Sequence, residues 1–388
     1  MALPAVFGVL KNNFATANLT DVVGYAEEKC KLLPWFVAAE PYSSGYTYHD
    51  IILITSSVTT VMCLIFTVSL ISVHLSSWVK PQEQKQIVRI ILFPTVFAFF
   101  NLYAVWFYKQ SWILLPFPEL YETFSLVAMF YLIVIYVAPQ DATREDYFRD
   151  LTRLHRYGSK KGTLKHSRGS LRWFHVLWVC VFQVLPVKLA TSLVAWILSK
   201  TMCPLKYQLS PVSLAIEVVE SISTTICITS IITFATRVAP DLKGTKTRGK
   251  MISFKGIVGV TLTQAPVFAG IASYGVFDRT IHVSVLDFTV GTPAFMTCCE
   301  MFLISFVFLW TFTAEPYLNL MGTLPRCRSV PGAFLEVLDI RDIMKGVWYM
   351  VKIICCFGGH TQMDHAEKGL DRDADMDIGG SHDEYRTK

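Results

Sequence analysis

The sequence predicts an all-α, multi-pass membrane protein, and three observations lead to this prediction. The chain has 388 residues, of which 53% are hydrophobic and 17% charged, whereas soluble domains carry about 25% charged residues. Seven apolar runs are long enough to cross the bilayer core, which takes about 20 residues. The segments between these runs alternate between many and few basic residues. This composition argues against a soluble enzyme.

The seven apolar runs are predicted to be helices, because backbone N–H and C=O groups need internal partners inside a bilayer. Together they form a predicted seven-helix transmembrane domain over residues 51–316, after an extracytoplasmic segment of residues 1–50. The predicted spans are Ile51–Leu75, Ile90–Tyr108, Glu119–Ala138, Trp173–Leu198, Val212–Thr236, Phe254–Val276 and Phe288–Phe312.

The distribution of lysine and arginine sets the predicted orientation. Eighteen of these residues follow the first, third and fifth spans, and four lie in the alternate connections. Under the positive-inside rule, the N-terminus is then outside and the C-terminus is cytosolic. The net charge of +5 is too small to indicate a nucleic-acid partner.

Three residues on the predicted outer side are candidates for covalent modification. Asn18 begins the N-glycosylation sequon Asn-Leu-Thr, which is either used or left unmodified. Cys30 and Cys203 are the cysteines predicted outside, where disulfides persist. They are a candidate disulfide, and two free thiols are the alternative.

The region after the last span is predicted to lie on the cytosolic side. Residues 317–356 contain an amphipathic helix placed along the inner leaflet, and residues 357–388 form an acidic tail predicted to be disordered. Cys355 and Cys356 end the helix and are either palmitoylation candidates or free thiols. The apolar stripe of this helix consists of Val337, Ile340, Met344, Val347, Val351 and Ile354.

Ionisable and amide side chains interrupt several of the apolar runs. A charge near the bilayer centre costs about 2.5–3.5 kcal/mol, so such residues need partners or water. Counting the rise per residue along each helix predicts that Lys188, Glu122, Glu217 and Glu220 lie at one level of the bilayer. Gln183, Gln264 and Glu300 are predicted to lie nearer the midplane. Glu119 and Asp287 lie near span ends and are expected to reach water.

Two interpretations of these polar residues remain. The first is a partly hydrated path that binds a substrate or relays protons. The second is a structural ion pair between Lys188 and one glutamate. The path is favoured because one lysine neutralises only one of several acids. The candidates for the path are Glu122, Gln183, Lys188, Glu217, Glu220, Gln264 and Glu300.

Sequence motifs for catalysis or signalling are missing from the chain. It contains no HExxH, no Walker motif and no zinc-type cysteine spacing, so no catalytic residue, metal or cofactor is predicted. The third span ends in YVAPQD rather than in the Asp/Glu-Arg-Tyr of G-protein-coupled receptors. The sequence therefore indicates neither an enzyme nor such a receptor.

An ordered set of short motifs resembles the organic solute transporter alpha subunit / transmembrane protein 184 family, especially its fungal members. The set extends over about residues 45–350, and its order is more informative than any single motif. The motifs are Arg89–Pro94, Pro118–Phe124, Val137–Pro139, Phe182-Gln183 with Pro186, Phe254-Lys255 with Gln264, Cys299–Met301, and Ala333–Glu336 with Asp339 and Asp342.

The resemblance implies a seven-helix membrane protein that moves or binds organic solutes. In that family the animal alpha subunits handle sterol- and bile-acid-like molecules and work with a single-span beta subunit. We therefore expect a bilayer, a sterol-like or amphipathic small molecule, and either a beta-type subunit or a second copy as partners. The plasma membrane and a vacuolar or endosomal membrane are both consistent with the sequence. The alternative function is a non-transporting adaptor or sensor that recruits partners through its basic loop and C-terminal region.

Overall fold

The computed structural model describes residues 40–114, 116–140, 144–150, 171–201, 211–242, 249–252, 282–284 and 287–357. Within these ranges the regular structure is helical, and six stretches are long and apolar enough to cross a membrane. The predicted sixth span, Phe254–Val276, lies outside the described residues. The six stretches are Tyr48–Ser76, Pro81–Trp106, Pro116–Val137, Leu171–Leu198, Ala215–Arg237 and Thr292–Leu320.

The helices are numbered in chain order over the described part of the chain. A short π-helical turn, Asp287–Gly291, leads into α10. The helices are α1 (Tyr48–Ser76), α2 (Pro81–Ile91), α3 (Phe93–Trp106), α4 (Tyr108–Leu114), α5 (Pro116–Val137), α6 (Arg144–Asp150), α7 (Leu171–Phe182), α8 (Val184–Thr201), α9 (Pro211–Arg237), α10 (Thr292–Thr311), α11 (Glu315–Leu320), α12 (Val330–Leu338) and α13 (Arg341–Phe357).

Local sequence signals set where the helices begin. Helix α1 begins after Thr47, whose hydroxyl accepts the Asp50 N–H at 3.2 Å, while the Asp50 carboxylate accepts the Thr47 N–H at 2.9 Å. This reciprocal arrangement is a capping box, which satisfies N–H groups that a helix start leaves unpaired. Pro81 and Pro116 open α2 and α5, where the missing proline N–H costs nothing.

Two of the membrane stretches are each built from two consecutive helices. Helices α2 and α3 meet at Leu92, just before Pro94, and α7 and α8 meet at Gln183, just before Pro186. Proline has no N–H to continue the helix ladder, so each break follows from the local sequence. The second stretch begins at Pro81, before its predicted start at Ile90.

The helices pack in two groups. Helices α1, α3 and α10 pack together, and α5, α7, α8 and α9 pack together, with α2 and α3 against α5. The second group is centred on Phe130, whose ring contacts Trp178, Phe182 and Phe234 at centroid distances of 5.6, 6.3 and 5.0 Å. Such edge-to-face and tilted arrangements add to the burial energy of each ring. The polar candidate residues of α5, α8 and α9 belong to this second group.

The C-terminal region differs from its prediction as a single surface helix. It consists of α12 and α13, separated at Asp339, which has an extended backbone (φ −71°, ψ 105°). Helix α12 packs against α2 and α1, and α13 packs against α7. The face of α13 that is buried against the bundle is Ile343, Gly346, Met350 and Ile353, whereas most of the predicted stripe is exposed.

The C-terminal helices are held by a buried arginine of α2. Arg89 is 2% exposed and binds both oxygens of Asp342, at 2.7 and 3.0 Å. Lys85 Nζ lies 3.1 Å from the same carboxylate, and Gln86 Nε2 donates to it at 2.6 Å. We call these four residues the Arg89 clamp. Burial raises the pKa of Asp342, but the hydrogen bonds and charges of Arg89 and Lys85 outweigh it and leave that pKa below its usual value.

Lys85 and Arg89 were expected in a connection between spans. The structure instead places them in α2, and both are buried. The reason is the amphipathic character of α2, whose polar positions face α12 and α13 rather than water.

Candidate functional site

The candidate site is centred on a buried lysine in α8. Lys188 Nζ donates to Glu119 Oε2 at 2.7 Å and to Glu220 Oε2 at 2.6 Å, and the lysine is 8% exposed. Thr191, one turn further along α8, donates its hydroxyl to Glu220 Oε1 at 2.5 Å. The lysine therefore joins α5, α8 and α9 through charge-assisted hydrogen bonds, which are about twice as strong as neutral ones. We call Lys188, Glu119, Glu220 and Thr191 the Lys188 cluster.

The local sequence places each of these side chains. Glu119 is in the first turn of α5, which begins at Pro116. Lys188 and Thr191 are three residues apart in α8 and so share one face of the helix. The carboxylate side chains remain partly exposed at the surface of the helix bundle, with exposed fractions of 35% for Glu119 and 20% for Glu220.

Two further glutamates lie at the margin of the Lys188 cluster. Glu122 is half-buried and within electrostatic range of Glu119 and Lys188. Glu217 is also half-buried and within range of Glu119 and Glu220. Among the described residues, two carboxylates thus bind one ammonium group and two more lie near them, so these five side chains carry a net negative charge when all are ionised. An acidic site of this kind repels organic anions and attracts cations.

Gln183, which lies one to two helical turns before Lys188 in the same span, forms a second polar contact with α9. Its Nε2 donates to the Ser223 carbonyl at 3.0 Å, and the Ser223 hydroxyl donates back to Gln183 Oε1 at 2.9 Å. Gln183 lies at the junction of α7 and α8, before Pro186. This reciprocal pair joins the broken span to α9, as interhelical glutamine bonds commonly do in membranes.

The remaining predicted site residues lie elsewhere. Glu300 is half-buried on α10, whose main packing partners are α1 and α3 rather than α8 and α9. Cys355 is exposed near the end of α13. Outside the described residues or side chains are Gln264, Asn18, Cys30, Cys203 and Cys356.

Of the two expectations about water-facing acids, that for Glu119 is incomplete and that for Asp287 is wrong. Glu119 is 35% exposed but also binds Lys188. Asp287 is 3% exposed, accepts the Tyr108 hydroxyl at 2.7 Å, and accepts the Ser284 hydroxyl at 2.7 Å. The distance of a residue from the end of its helix predicts its depth in the bilayer but not which side chains lie beside it. Here Lys188 of α8 donates to Glu119, and Tyr108 of α4 and Ser284 donate to Asp287.

Thr191 and Glu119 are the members of the cluster that sequence reasoning missed. A signal for Glu119 was present, because Glu119 and Glu122 have the same three-residue spacing as Glu217 and Glu220. That spacing places two acids on one helix face in each pair. For Thr191 the sequence has no comparable signal, since threonines in membrane helices commonly bond their own backbone, as this one also does to Val187 at 3.0 Å.

Six apolar helices and a charged cluster between them are typical of integral membrane proteins that act on polar or charged species. A family model described as organic solute transporter Ostalpha matches residues 52–317. The chain therefore belongs to this transporter family, and it is an integral membrane protein.

Curated relatives support the family membership. The chain is 26% identical over 282 residues to Protein LAZ1 of Arabidopsis thaliana, covering 68% of this chain and 57% of that protein. It is 24% identical over 296 residues to Vacuole membrane protein hfl11 of Schizosaccharomyces pombe, covering 73% and 66%. A Transmembrane protein 184 homolog of Dictyostelium discoideum is 32% identical over 84 residues, covering 21% and 17%. The matched part of the chain thus covers less than two thirds of the length of each of these relatives. No solved structure matches it.

Proposed function

We propose that this protein transports organic solutes of sterol-like or amphipathic character through a polar path that includes the Lys188 cluster. The observation that carries the proposal is the charge balance of the cluster. One lysine is shared by two carboxylates from two other helices, with two more carboxylates beside them. A purely structural ion pair needs only one acid for one base, and extra acids in a bilayer are costly.

The partial exposure of the acids supports a binding role. The Glu119 and Glu220 side chains are 35% and 20% exposed, whereas the Lys188 side chain is 10% exposed. A solute with a polar head can therefore approach the carboxylates from the open side of the cluster. Family membership supports solute transport as the activity.

The experiment is solute flux into vesicles that contain the purified protein, with and without a single-span partner subunit. The probes are a radiolabelled sterol, a labelled bile acid and a labelled alkyl-trimethylammonium. We expect uptake of at least one probe, and Lys188→Met and Glu220→Gln should each lower it about tenfold or more, as loss of about 1.4 kcal/mol would.

Lys80→Met is the matched control for this experiment. Lys80 forms a 3.0 Å ion pair with Glu83, but its side chain is 45% exposed. The control should keep the flux of the unmodified protein, because exposed pairs contribute little. Absence of flux for every probe, or unchanged flux in Lys188→Met, would contradict the transport proposal.

We propose the topology that the basic residues favour, with the N-terminus outside, a seventh span in the Phe254–Val276 region, and α12 and α13 on the cytosolic side. The support is the excess of basic residues after the first, third and fifth predicted spans: without Lys85 and Arg89, which lie in α2, sixteen remain against four. Protease digestion of sealed vesicles tests it: an epitope after Lys388 should be cleaved only from the cytosolic side. The printed name of the fission-yeast relative, Vacuole membrane protein hfl11, supports a vacuolar membrane as the location.

A membrane adaptor or sensor is the second candidate, and the acidic composition of residues 357–388 favours it. Deleting residues 358–388 leaves the Arg89 clamp intact and separates the two candidates. Transport predicts that this deletion preserves flux, whereas an adaptor predicts loss of partner recruitment and no effect of Glu220→Gln.

A further inference from the structure

Helices α12 and α13, joined at Asp339 and called the hairpin below, each have one apolar side on the bundle and one apolar side that is open. One face packs on the bundle through Val337, Ile343, Met350 and Ile353, which are all buried. The other face is open, and an exposed apolar surface of this kind marks an interaction site. Its large exposed side chains are Leu335 (67%), Leu338 (57%), Ile340 (51%), Met344 (58%) and Trp348 (62%).

The hairpin runs up the side of the bundle and back. At its start, the Cys327 N–H donates to the Trp78 carbonyl at 2.9 Å, just before α2. At its tip, Arg89 Nε donates to the Val337 carbonyl at 3.1 Å. Arg89 is eight residues beyond Pro81, so the tip lies about 12 Å further along α2.

Helix α13 then returns antiparallel to α7. Trp178 Nε1 donates to the Gly346 carbonyl at 3.0 Å, and the Tyr349 hydroxyl lies 3.0 Å from His175 Nε2. As the residue number rises along α13, the number of its partner in α7 falls. Both ends of the hairpin therefore lie at the same end of the bundle.

The tip reaches the level of a membrane-spanning residue. The Tyr131 hydroxyl donates to the Asp342 carbonyl at 3.1 Å. Tyr131 lies six residues before the end of α5, a membrane stretch that ends at Val137, which is about 9 Å inside that end. With the bilayer surface near the end of α5, the open apolar face beside the tip is at the depth of lipid.

The backbone at the tip is satisfied from within the protein. The Val337 and Asp339 carbonyls accept from Arg89 at 3.1 and 2.6 Å, and the Arg341 N–H donates to Asp339 Oδ1 at 3.0 Å. Irregular backbone at membrane depth is tolerated only when the protein supplies its hydrogen bonds. A hairpin surrounded by water would not require this.

The charges on α13 fit the same placement. Lys345 and Lys352 are exposed and lie on a third face of the helix, next to the open apolar face, together with Arg341, which is also exposed and pairs with Asp339. An apolar face bordered by basic residues is the pattern of helices that sit about 5–10 Å into the headgroup–acyl boundary. Basic side chains there extend toward anionic headgroups.

We infer that the α12–α13 hairpin is a wedge inserted in the bilayer: Leu338, Ile340 and Met344 contact the upper acyl chains, and the basic face meets anionic headgroups. The Arg89 clamp ties this wedge to the core of the bundle. The contact partner is the lipid surface itself, and the inference holds whether or not the protein transports solutes.

Fluorescent labels on two neighbouring residues of α13 test the inference. Met344→Cys places an NBD label on the open apolar face, and Lys345→Cys places it on the basic face at the same height. The background is the full chain with Cys30, Cys203, Cys327, Cys355 and Cys356 changed to Ser, and the same background without an added cysteine gives the blank. The protein is reconstituted in vesicles of phosphatidylcholine and phosphatidylserine.

A wedge predicts opposite behaviour of the two labels. The Met344 label should emit at shorter wavelength, be quenched by nitroxide-bearing acyl chains, and be quenched by aqueous iodide about threefold less than the Lys345 label. Equal iodide quenching at both positions would overturn the inference. Protection of the Met344 label from both quenchers would overturn it too, because a protein would then cover this face. Unchanged elution and helical circular dichroism of both variants show that they fold.

Discussion

The Arg89 clamp and the Lys188 cluster both bury a cation against carboxylates, but they differ in their charge balance. In the clamp, Arg89 and Lys85 share the single carboxylate of Asp342, and Arg89 also binds two backbone carbonyls and Gln86. In the cluster, one Lys188 is shared by two carboxylates, with Glu122 and Glu217 within electrostatic range.

This difference separates a structural device from a binding site. Arg89 uses its planar, bidentate geometry to hold one conformation, and its donors are matched by acceptors in the protein. The carboxylates around Lys188 keep accepting capacity, and part of their surface remains open. A buried cation whose donors are all matched by protein acceptors holds elements together, whereas carboxylates that keep accepting capacity and an open surface leave room for a ligand.

The largest effect is expected from breaking the clamp. Arg89→Met leaves Asp342 charged, with only Lys85 and Gln86 as partners, and leaves two carbonyls without donors. Loss of one partner of a buried pair costs about 3–5 kcal/mol. The thermal unfolding midpoint should fall strongly, and proteases should cut the hairpin. Arg341→Met is the control, because its pair with Asp339 is exposed (85% for Arg341); equal effects of the two variants would refute the structural role of Arg89.

A smaller effect on stability is expected from Lys188→Met. The carboxylates that lose their partner are 35% and 20% exposed, so water and protonation relieve part of the repulsion. We expect a loss of about 2 kcal/mol, below that at Arg89 because of solvent screening. Thermal unfolding of both variants in one detergent makes the comparison. A loss at Lys188 as large as at Arg89 would mean that the cluster is structural.

Packing at the hairpin gives the next prediction. A Cβ added at Gly346 would collide with the Phe182 ring and lie 3.0 Å from the Tyr131 hydroxyl. Gly346→Ala should therefore destabilise docking by about 1–3 kcal/mol, the usual cost of overpacking. Limited proteolysis of the hairpin measures it. Gly322→Ala is the control, since its nearest neighbouring atom is 4.0 Å away; a harmless Gly346→Ala would show that α13 docks less closely than described.

The Gln183–Ser223 pair should contribute less than either charged site. Ser223→Ala removes one neutral hydrogen bond, and Gln183 Nε2 keeps its bond to the Ser223 carbonyl. The expected cost is about 1 kcal/mol. A double-mutant cycle with Gln183→Leu measures the coupling, and a coupling near zero would mean that the pair does not join α9 to the broken span.

The smallest expected effect is that of pH on the clamp. The pKa of Asp342 is lowered in the folded protein, so its contribution is complete above the unfolded pKa of about 3.9 and is lost only as pH falls through the lowered value. Protease protection of the hairpin should therefore stay constant from about pH 8 to about pH 5. Release of the hairpin within this interval would show that another group controls docking.

Much of the architecture was predictable because a membrane helix can be recognised from the hydropathy of its own residues. Runs of apolar residues correspond to six stretches in the described part of the chain, and Thr47 and Pro116 mark two helix starts. The breaks at Leu92 and Gln183 were missed, although Pro94 and Pro186 were visible. A hydropathy window averages over such breaks, because the residues on both sides are equally apolar.

The sequence predicted the depth of the polar residues in the bilayer but not which residues they contact. Counting residues put Lys188 near the level of Glu220, and the structure brings the two together. The same count assigned Glu119 to water, because the lateral position of α5 relative to α8 is not encoded in either helix alone. The buried Arg89 shows the same limit, since its partner Asp342 is 253 residues away along the chain.

Hydropathy and short motifs are local properties, so they were sufficient to identify a helical membrane protein that resembles one transporter family. Helix packing determines which acids contact Lys188, why Arg89 is buried, and which face of α13 contacts the bundle. Those outcomes depend on helix packing over long separations, where the free energy of a charge is set by neighbours that the local sequence does not name.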